Sequence, residues 1–275
     1  MFYMHNHMKL NYTVIGIGKP ILIIHGLACS SKLMMGCLEP IFKDTVEYQR
    51  IYVDLPGMGE SNFLLDYASA DKMLEVLTAF LKTVMDPDDH FLLIGQSYGG
   101  YLARGLLALM PDRIDGLFLL CPVVLTGKTQ RNLPMKRTLF LEERFFASIA
   151  TEEKNDFLAY AVIADEHTYT RYKNEIEVGL KAANQAFIGR LLQNYHFGFD
   201  VDKCIHAAPF MKPTLLITGR QDAEVGYRDL LGILEDYPRA TYSVLDTAGH
   251  NLQIEQPEVF EMLVQNWLKR ILAYQ

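Results

Sequence analysis

Cysteine is scarce in this chain. The four residues present among 275, Cys29, Cys37, Cys121 and Cys204, have no metal-ligand spacing and are too few for a disulfide scaffold. They read as buried or idle thiols in a reducing cytoplasm, with Cys121 inside an apolar strand. Long apolar stretches are missing too. The longest nearly apolar run, Gly116 to Leu125, is far too short to cross a bilayer. The amino end, MFYMHNHMKL, has neither a charged start nor an apolar core, so it does not read as a signal peptide. Clustered basic residues are absent as well: Lys and Arg are scattered and the formal net charge is −7, which excludes an electrostatic footprint for nucleic acid or an anionic membrane. The expected location is the cytoplasm and the expected partner is a small molecule that is not strongly anionic. Nothing in the composition fixes an oligomeric state.

What is present is ample core material, with 50% of residues hydrophobic. Leu10 to Ile17 has strand residues in partial alternation, and Gly16 to Pro20 supplies a turn, which predicts an antiparallel hairpin leading into a buried strand at Ile21 to Ile24. Further strands are expected at Arg50–Asp54, at the run starting with Phe91, and at Ile114–Leu120. Ala70 to Met85 has apolar residues at helical spacing, and a second helix runs from Tyr98 to Met110, where Pro111 stops it. Such alternation predicts a parallel sheet with helices on both faces. Between Asp54 and Ser61 the bend DLPGMGES carries two glycines, but no Lys-Ser/Thr follows and no third glycine stands at dinucleotide spacing. A nucleotide-binding reading therefore fails.

From about Val124 to His206 the pattern changes to helix formers with eleven aromatic residues and no convincing buried strand. This predicts an inserted helical subdomain at 125–205 between core segments 1–124 and 206–275, positioned to act as a lid. Within it Leu141, Phe145 and Ile149 mark one helical face, and Thr151 with Glu152 and Glu153 marks the next helix start. The sheet resumes at Thr214–Thr218, followed by a helix over Tyr227–Tyr237, a strand over Ala240–Leu245 and a last helix from Pro257 to about Ala273.

The stretch FLLIGQSYGGY, Phe91 to Tyr101, carries the chemistry. Gly95, Gln96, Ser97, Tyr98 and Gly99 form G-x-S-x-G between a strand and a helix, the context that motif requires. A residue at the apex of so tight a turn is strained, and its neighbours two positions away leave no room for a Cβ. Ser97 is thereby presented at a helix amino end, where negative charge is favoured. The N–H after the serine, on Tyr98, and an N–H from the loop after an early strand make the usual pair of oxyanion donors; position assigns the second to Leu27. His25, beside it, reads as a loop histidine holding the turn by hydrogen bonds.

A serine hydroxyl needs a base, and the base needs a carboxylate to fix its tautomer. His250 follows a strand end, as does Asp222, giving the order Ser…Asp…His. Glu224 and Asp246 compete with Asp222 for the acid position. With these residues the chain resembles the α/β-hydrolase superfamily, in the branch with a helical cap after the sixth strand. The resemblance rests on HGLA at His25, DLPGMGES at Asp54, GQSYGG at Gly95, GRQD at Gly219 and AGHN at Ala248. It implies a mostly parallel, doubly wound sheet of about eight strands and no metal or organic cofactor. Related enzymes cleave esters, thioesters, amides or carbon–carbon bonds beside ketones. Those that displace halide or open epoxides carry an aspartate at the elbow, where this chain has Ser97. The expected function is hydrolysis of a small or medium, partly apolar acyl substrate through an acyl-enzyme. Alternatives are a carbon–carbon bond hydrolase of dienoates or diketones, for which Arg131, Arg137, Arg144 and Arg190 could bind a carboxylate, and a slow-turnover ligand receptor.

Overall fold

A computed structural model describes residues 1–43 and 47–273. Among these residues eight strands form one sheet in the order β1-β2-β4-β3-β5-β6-β9-β10. The six strands from β4 (Tyr48–Val53) and β3 (Lys19–Ile24) through β5 (Phe91–Gln96), β6 (Ile114–Leu120) and β9 (Thr214–Gly219) to β10 (Ala240–Leu245) run parallel. Unbroken apolar runs form the central strands because both faces are covered, and every residue of β5 and β9 is buried. One face packs against α1 (Ser31–Phe42) and α11 (Pro257–Leu272); α2 (Ala70–Val84) and α3 (Tyr98–Leu109) also cover the sheet and touch each other.

Register places the functional edge. Ile24 lies opposite Gly95, Gln96 opposite Leu120, and Leu245 opposite Gly219. The loops after β3, β5, β6, β9 and β10 therefore all emerge at the carboxyl edge, where open parallel sheets bind ligands.

The amino-terminal hairpin differs from expectation. β1 (Phe2–His5) pairs antiparallel with β2 (Met8–Ile15) across a turn at Asn6 and His7, and β2 pairs with β4 rather than β3. β3 takes parallel neighbours on both edges and is buried over Ile21–Ile24, whereas β2 is only partly buried along its second half, which suits a position nearer the sheet edge. Helix α1 carries mixed local signals: Ser30 stands at its amino cap but makes no side-chain capping bond, its first turn lacks an acid, and Gly36 and Pro40 lie inside it. It forms because Leu33, Met34, Cys37, Leu38 and Ile41 bury one face. The helix expected over Tyr227–Tyr237 is a 3₁₀ segment at Asp229–Asp236.

Residues 121–213 leave the sheet after β6 and return at the adjacent strand β9. This stretch contains short helices: α4 (Glu143–Phe146), α5 (Thr151–Leu158), α6 (Glu166–Arg171), α7 (Val178–Ala182), α8 (Gln185–Gln193) and α9 (Val201–Ala207), with a π-helical turn at Tyr172–Glu177. The continuous helical face expected from Leu141 to Ile149 is interrupted. Phe140–Leu141 (β7) pairs in parallel with Ile163–Ala164 (β8), a small sheet that no periodicity announced. Thr151 is the first helical residue, with Ala150 before it in the cap position. Phe146 and Phe157 stack at 5.6 Å and Tyr169 meets both edge-on, which gives the segment an aromatic core of its own. The connection between α8 and α9 is stacked on helix α3: Tyr195 lies 4.5 Å from Tyr98, and Phe197 lies 4.3 Å from Tyr101. No helix among the described residues is long and apolar enough to cross a membrane.

Helix α11 seats against β6 because Gly116 offers no Cβ; one there would lie 2.2 Å from Ile271 Cδ1 and 3.2 Å from the Trp267 ring. Trp267 is fully buried and donates its indole N–H to the Pro213 carbonyl at 3.0 Å. Trp267→Ala is expected to lower unfolding free energy by about 3–5 kcal/mol in urea titrations followed by circular dichroism.

Candidate active site

The turn between β5 and α3 holds Ser97 at φ +54° and ψ −117°, a backbone conformation that L-residues rarely adopt. Its surroundings enforce that conformation. The Ser97 N–H donates to the Leu120 carbonyl at 2.9 Å, and the Ser97 carbonyl accepts from Gly100, Tyr101 and Val123. A Cβ on Gly95 would lie 2.4 Å from the Gly99 carbonyl oxygen, and one on Gly99 would lie 2.3 Å from that of Ile24, so both positions require glycine. Ser97 is left 8% exposed, facing a cavity.

The loops after β9 and β10 bring Asp222 and His250 to this serine. His250 Nε2 lies 3.0 Å from Ser97 Oγ, and His250 Nδ1 lies 2.9 Å from Asp222 Oδ2. The second Asp222 oxygen accepts the N–H groups of Glu224 at 2.9 Å and Val225 at 3.0 Å. With Nδ1–H directed at a carboxylate, Nε2 is the atom free to accept the serine proton. Asp246 is exposed and takes its hydrogen bonds from Gln221 and Thr247, away from His250. Glu224 lines the cavity and its side chain makes no hydrogen bond to His250. Leu27 also lines the cavity, and neither its N–H nor that of Tyr98 has an acceptor among the described residues.

Electrostatics follow from burial and pairing. Burial alone would raise the fully buried Asp222 carboxyl, but the neighbouring His250 and the two backbone N–H groups hold it below the ordinary carboxylate value. Burial alone would lower His250, yet the charges of Asp222 and Glu224 carry it above its ordinary 6.5. The Asp222 share of the pair's stability is present above the ordinary carboxylate value and is lost as pH falls through the lowered one. The His250 share is present below 6.5 and is lost as pH rises through the raised value.

His25 takes no part in this chain of bonds. Its Nδ1–H donates to the Gly26 carbonyl at 2.7 Å and its Nε2 accepts the Leu55 N–H at 3.0 Å. Burial lowers it, so it is a neutral brace for the Leu27 loop. Beside it the buried Asp54 accepts from Ser31 N–H, Glu60 N–H and the Asn11 side chain. Sequence patterning did not single out Asp54, although the glycines after it were a signal: a Cβ on Gly59 would lie 2.4 Å from an Asp54 oxygen.

The cavity has a volume of about 670 Å³. The sheet edge contributes Leu27, Val123 and Val225, and the inserted segment contributes Tyr172, Ile176 and Tyr195. Of the four arginines considered from sequence, Arg131 lines it; Arg137, Arg144 and Arg190 are exposed. Cys121 sits one residue past β6 with φ +41°, rather than inside the strand. Its sulfur lies within 4.8 Å of ligand atoms on Asp222 and His250, but those two are bonded to each other and burial keeps the thiol protonated, so the trio is a poor metal site. Cys204, by contrast, is exposed.

Asp222→Asn removes the charge that raises His250 while keeping the shape of its partner. An NMR titration of the His250 ring is expected to move to lower pH in this variant, and an unchanged titration would show that Asp222 does not set the charge state of His250.

A family model for the alpha/beta hydrolase fold matches residues 19–257. Over 262 residues the chain is 30% identical to a 2-hydroxymuconate semialdehyde hydrolase from Pseudomonas putida, covering 92% of this chain and 88% of that protein. Over 271 residues it is 23% identical to a monoacylglycerol lipase from Mus musculus, covering 91% of this chain and 76% of that one. Among solved structures, an alpha/beta superfamily hydrolase from Oenococcus oeni PSU-1 superposes with a TM-score of 0.87 at 30% identity, covering 98% of this chain and 99% of that chain. Sheet order, helices and sequence agree, and the chain belongs to the α/β-hydrolase family.

Proposed function

We propose that the protein is a serine hydrolase that cleaves a small or medium, partly apolar acyl substrate, with Ser97 as nucleophile, His250 as base and Asp222 as its orienting acid. The observation that carries this reading is the continuous hydrogen-bonded path from Asp222 through His250 to Ser97, which lines a mostly apolar cavity. Ser97 Oγ attacks the substrate carbonyl carbon while its proton passes to His250 Nε2. The carbonyl oxygen becomes an oxyanion held by the N–H groups of Leu27 and Tyr98. Collapse breaks the bond to the leaving group, which takes the proton from His250. Water, deprotonated by the same nitrogen, then cleaves the acyl-enzyme to the free acid and restores Ser97. The insertion over 125–205 serves as a lid that sizes the acyl pocket and excludes bulk water.

A second reading, hydrolysis of a carbon–carbon bond in an acidic dienoate or diketone, is favoured by Arg131. This cavity-lining guanidinium donates to the carbonyls of Leu125, Thr126 and Glu224 and forms no ion pair among the described residues. A substrate carboxylate placed beside it would meet a guanidinium that no carboxylate directly pairs. The relative from Pseudomonas putida, named for a semialdehyde that it hydrolyses, agrees with this reading.

Two measurements decide between these readings. Across a graded series of acyl esters, Ser97→Ala is expected to lose activity on the order of a thousandfold or more. Equal rates for the native protein and Ser97→Ala on every ester would remove the acyl-enzyme reading. Arg131→Gln is expected to raise KM for an acidic dienoate about 10–100-fold, the loss of one charge-assisted hydrogen bond, while sparing neutral esters. Equal effects on acidic and neutral substrates would leave Arg131 a structural clamp.

A further inference from the structure

Glu255, the last residue of the short helix α10 (Leu252–Glu255), is 5% exposed, and its carboxylate is divided between two parts of the molecule. Oε2 accepts the N–H of Gly249, the residue before His250, at 2.6 Å. Oε1 accepts the N–H of Val162 at 2.6 Å and that of Ile163 at 3.4 Å, at the start of β8 in the inserted segment. The two segments touch each other here: a Cβ on Gly249 would lie 2.9 Å from Val162 Cγ2. Val162 in turn follows closely on Tyr160, a wall of the cavity.

We infer that Glu255 is a positioning residue that couples the seating of the inserted segment to the placement of His250, so that the base meets Ser97 correctly only while that segment is seated. The inference rests on the proposed role of His250.

The choice of a carboxylate supports it. A buried charge is costly, and this one has no ion pair among the described residues; the nearby Lys136 ammonium instead donates to the Ala161 carbonyl at 2.7 Å. Glutamine would fill the same volume without a charge. An amide, however, has one accepting end, so it would turn an N–H group toward another N–H group on one of the two sides. Only a carboxylate accepts from both segments at once. A second tie between α10 and the insert, from Arg171 to the Gln253 carbonyl at 3.0 Å, does not touch the His250 loop. The coupling therefore runs through Glu255.

Protonation has the same consequence as an amide, because an O–H then faces one of the N–H groups. The charged and titratable groups around this carboxylate are Lys136 from the segment before β7, Cys121 from the end of β6 and His250 beyond Gly249. Burial raises the Glu255 carboxyl above its ordinary 4.5, against the lowering effect of its three N–H donors and Lys136. Protonation of His250 and protonation of Glu255 each lower activity, so two protons act on the acid limb of kcat/KM.

The test compares native protein, Glu255→Gln, Glu255→Asp and Ser97→Ala on one short acyl ester over a range of pH, with amide hydrogen exchange at Val162 and Gly249. Expected are a kcat about 10–100-fold lower in Glu255→Gln with a smaller change in KM, a one-proton acid limb in that variant, and faster exchange at Gly249 or Val162. Native kcat with a two-proton acid limb in Glu255→Gln overturns the inference, as does a loss confined to KM, which would assign Glu255 to the insert alone. If Glu255→Gln does not fold, a one-proton acid limb throughout in the native protein overturns it. Activity equal in native protein and Ser97→Ala would instead overturn the nucleophile assignment, and hydrogen exchange would still report whether Glu255 holds both segments.

Discussion

The close approach of the α3 amino end to the carboxyl end of β3 is the constraint on which the rest of the site depends. Only a glycine at position 99 lets the helix reach the Ile24 carbonyl, and only a glycine at 95 lets the strand turn beneath it. Ser97 then has no choice but a left-handed backbone, a strain of about 1–3 kcal/mol. Bonds to Leu120 and from Val123 hold the turn in place, so β6 as well as β5 determines where the hydroxyl points.

Around that fixed point the loops are held by buried carboxylates rather than by packing alone. Asp54 gathers the loop after β4 and the start of α1; Asp222 gathers its own turn; Glu255 gathers the His250 loop and the start of β8. Each accepts backbone N–H groups that would otherwise be stranded at a strand end, and those bonds offset its desolvation. The three differ in charge state tendency for a physical reason. The N–H groups of Glu60 and Ser31 and the Asn11 amide help to hold Asp54 low and His250 helps to hold Asp222 low, whereas at Glu255 burial outweighs the N–H donors and the Lys136 ammonium.

What could be read from sequence was whatever depends on neighbours in the chain. The strands Ile114–Leu120 and Ala240–Leu245, the helix ended by Pro111 and the elbow at Ser97 each carry local signals, and they form where those signals stand. The side chains of Ser97, Asp222 and His250 meet because strand-end position in a parallel sheet is itself legible. Helix α1 carries helical spacing in Leu33, Met34, Cys37, Leu38 and Ile41, but Gly36 and Pro40 inside it obscure that signal. The β7–β8 pairing joins residues more than twenty positions apart through two residues each, below any periodicity. Glu255 was invisible for a related reason: its partners are backbone N–H groups, which every sequence offers and none advertises.

Strands β6 and β9 are direct neighbours, with Leu117 opposite Thr214 and Leu120 opposite Ile217. The long excursion between them therefore begins and ends at adjacent points of one sheet edge, and no strand's register depends on how many residues it contains. Evolution could lengthen, shorten or replace that excursion without moving the serine, the histidine or the acid. The architecture separates inheritance of a reaction from inheritance of a substrate, and relatives with the same sheet can diverge in what they recognise while conserving how they cut.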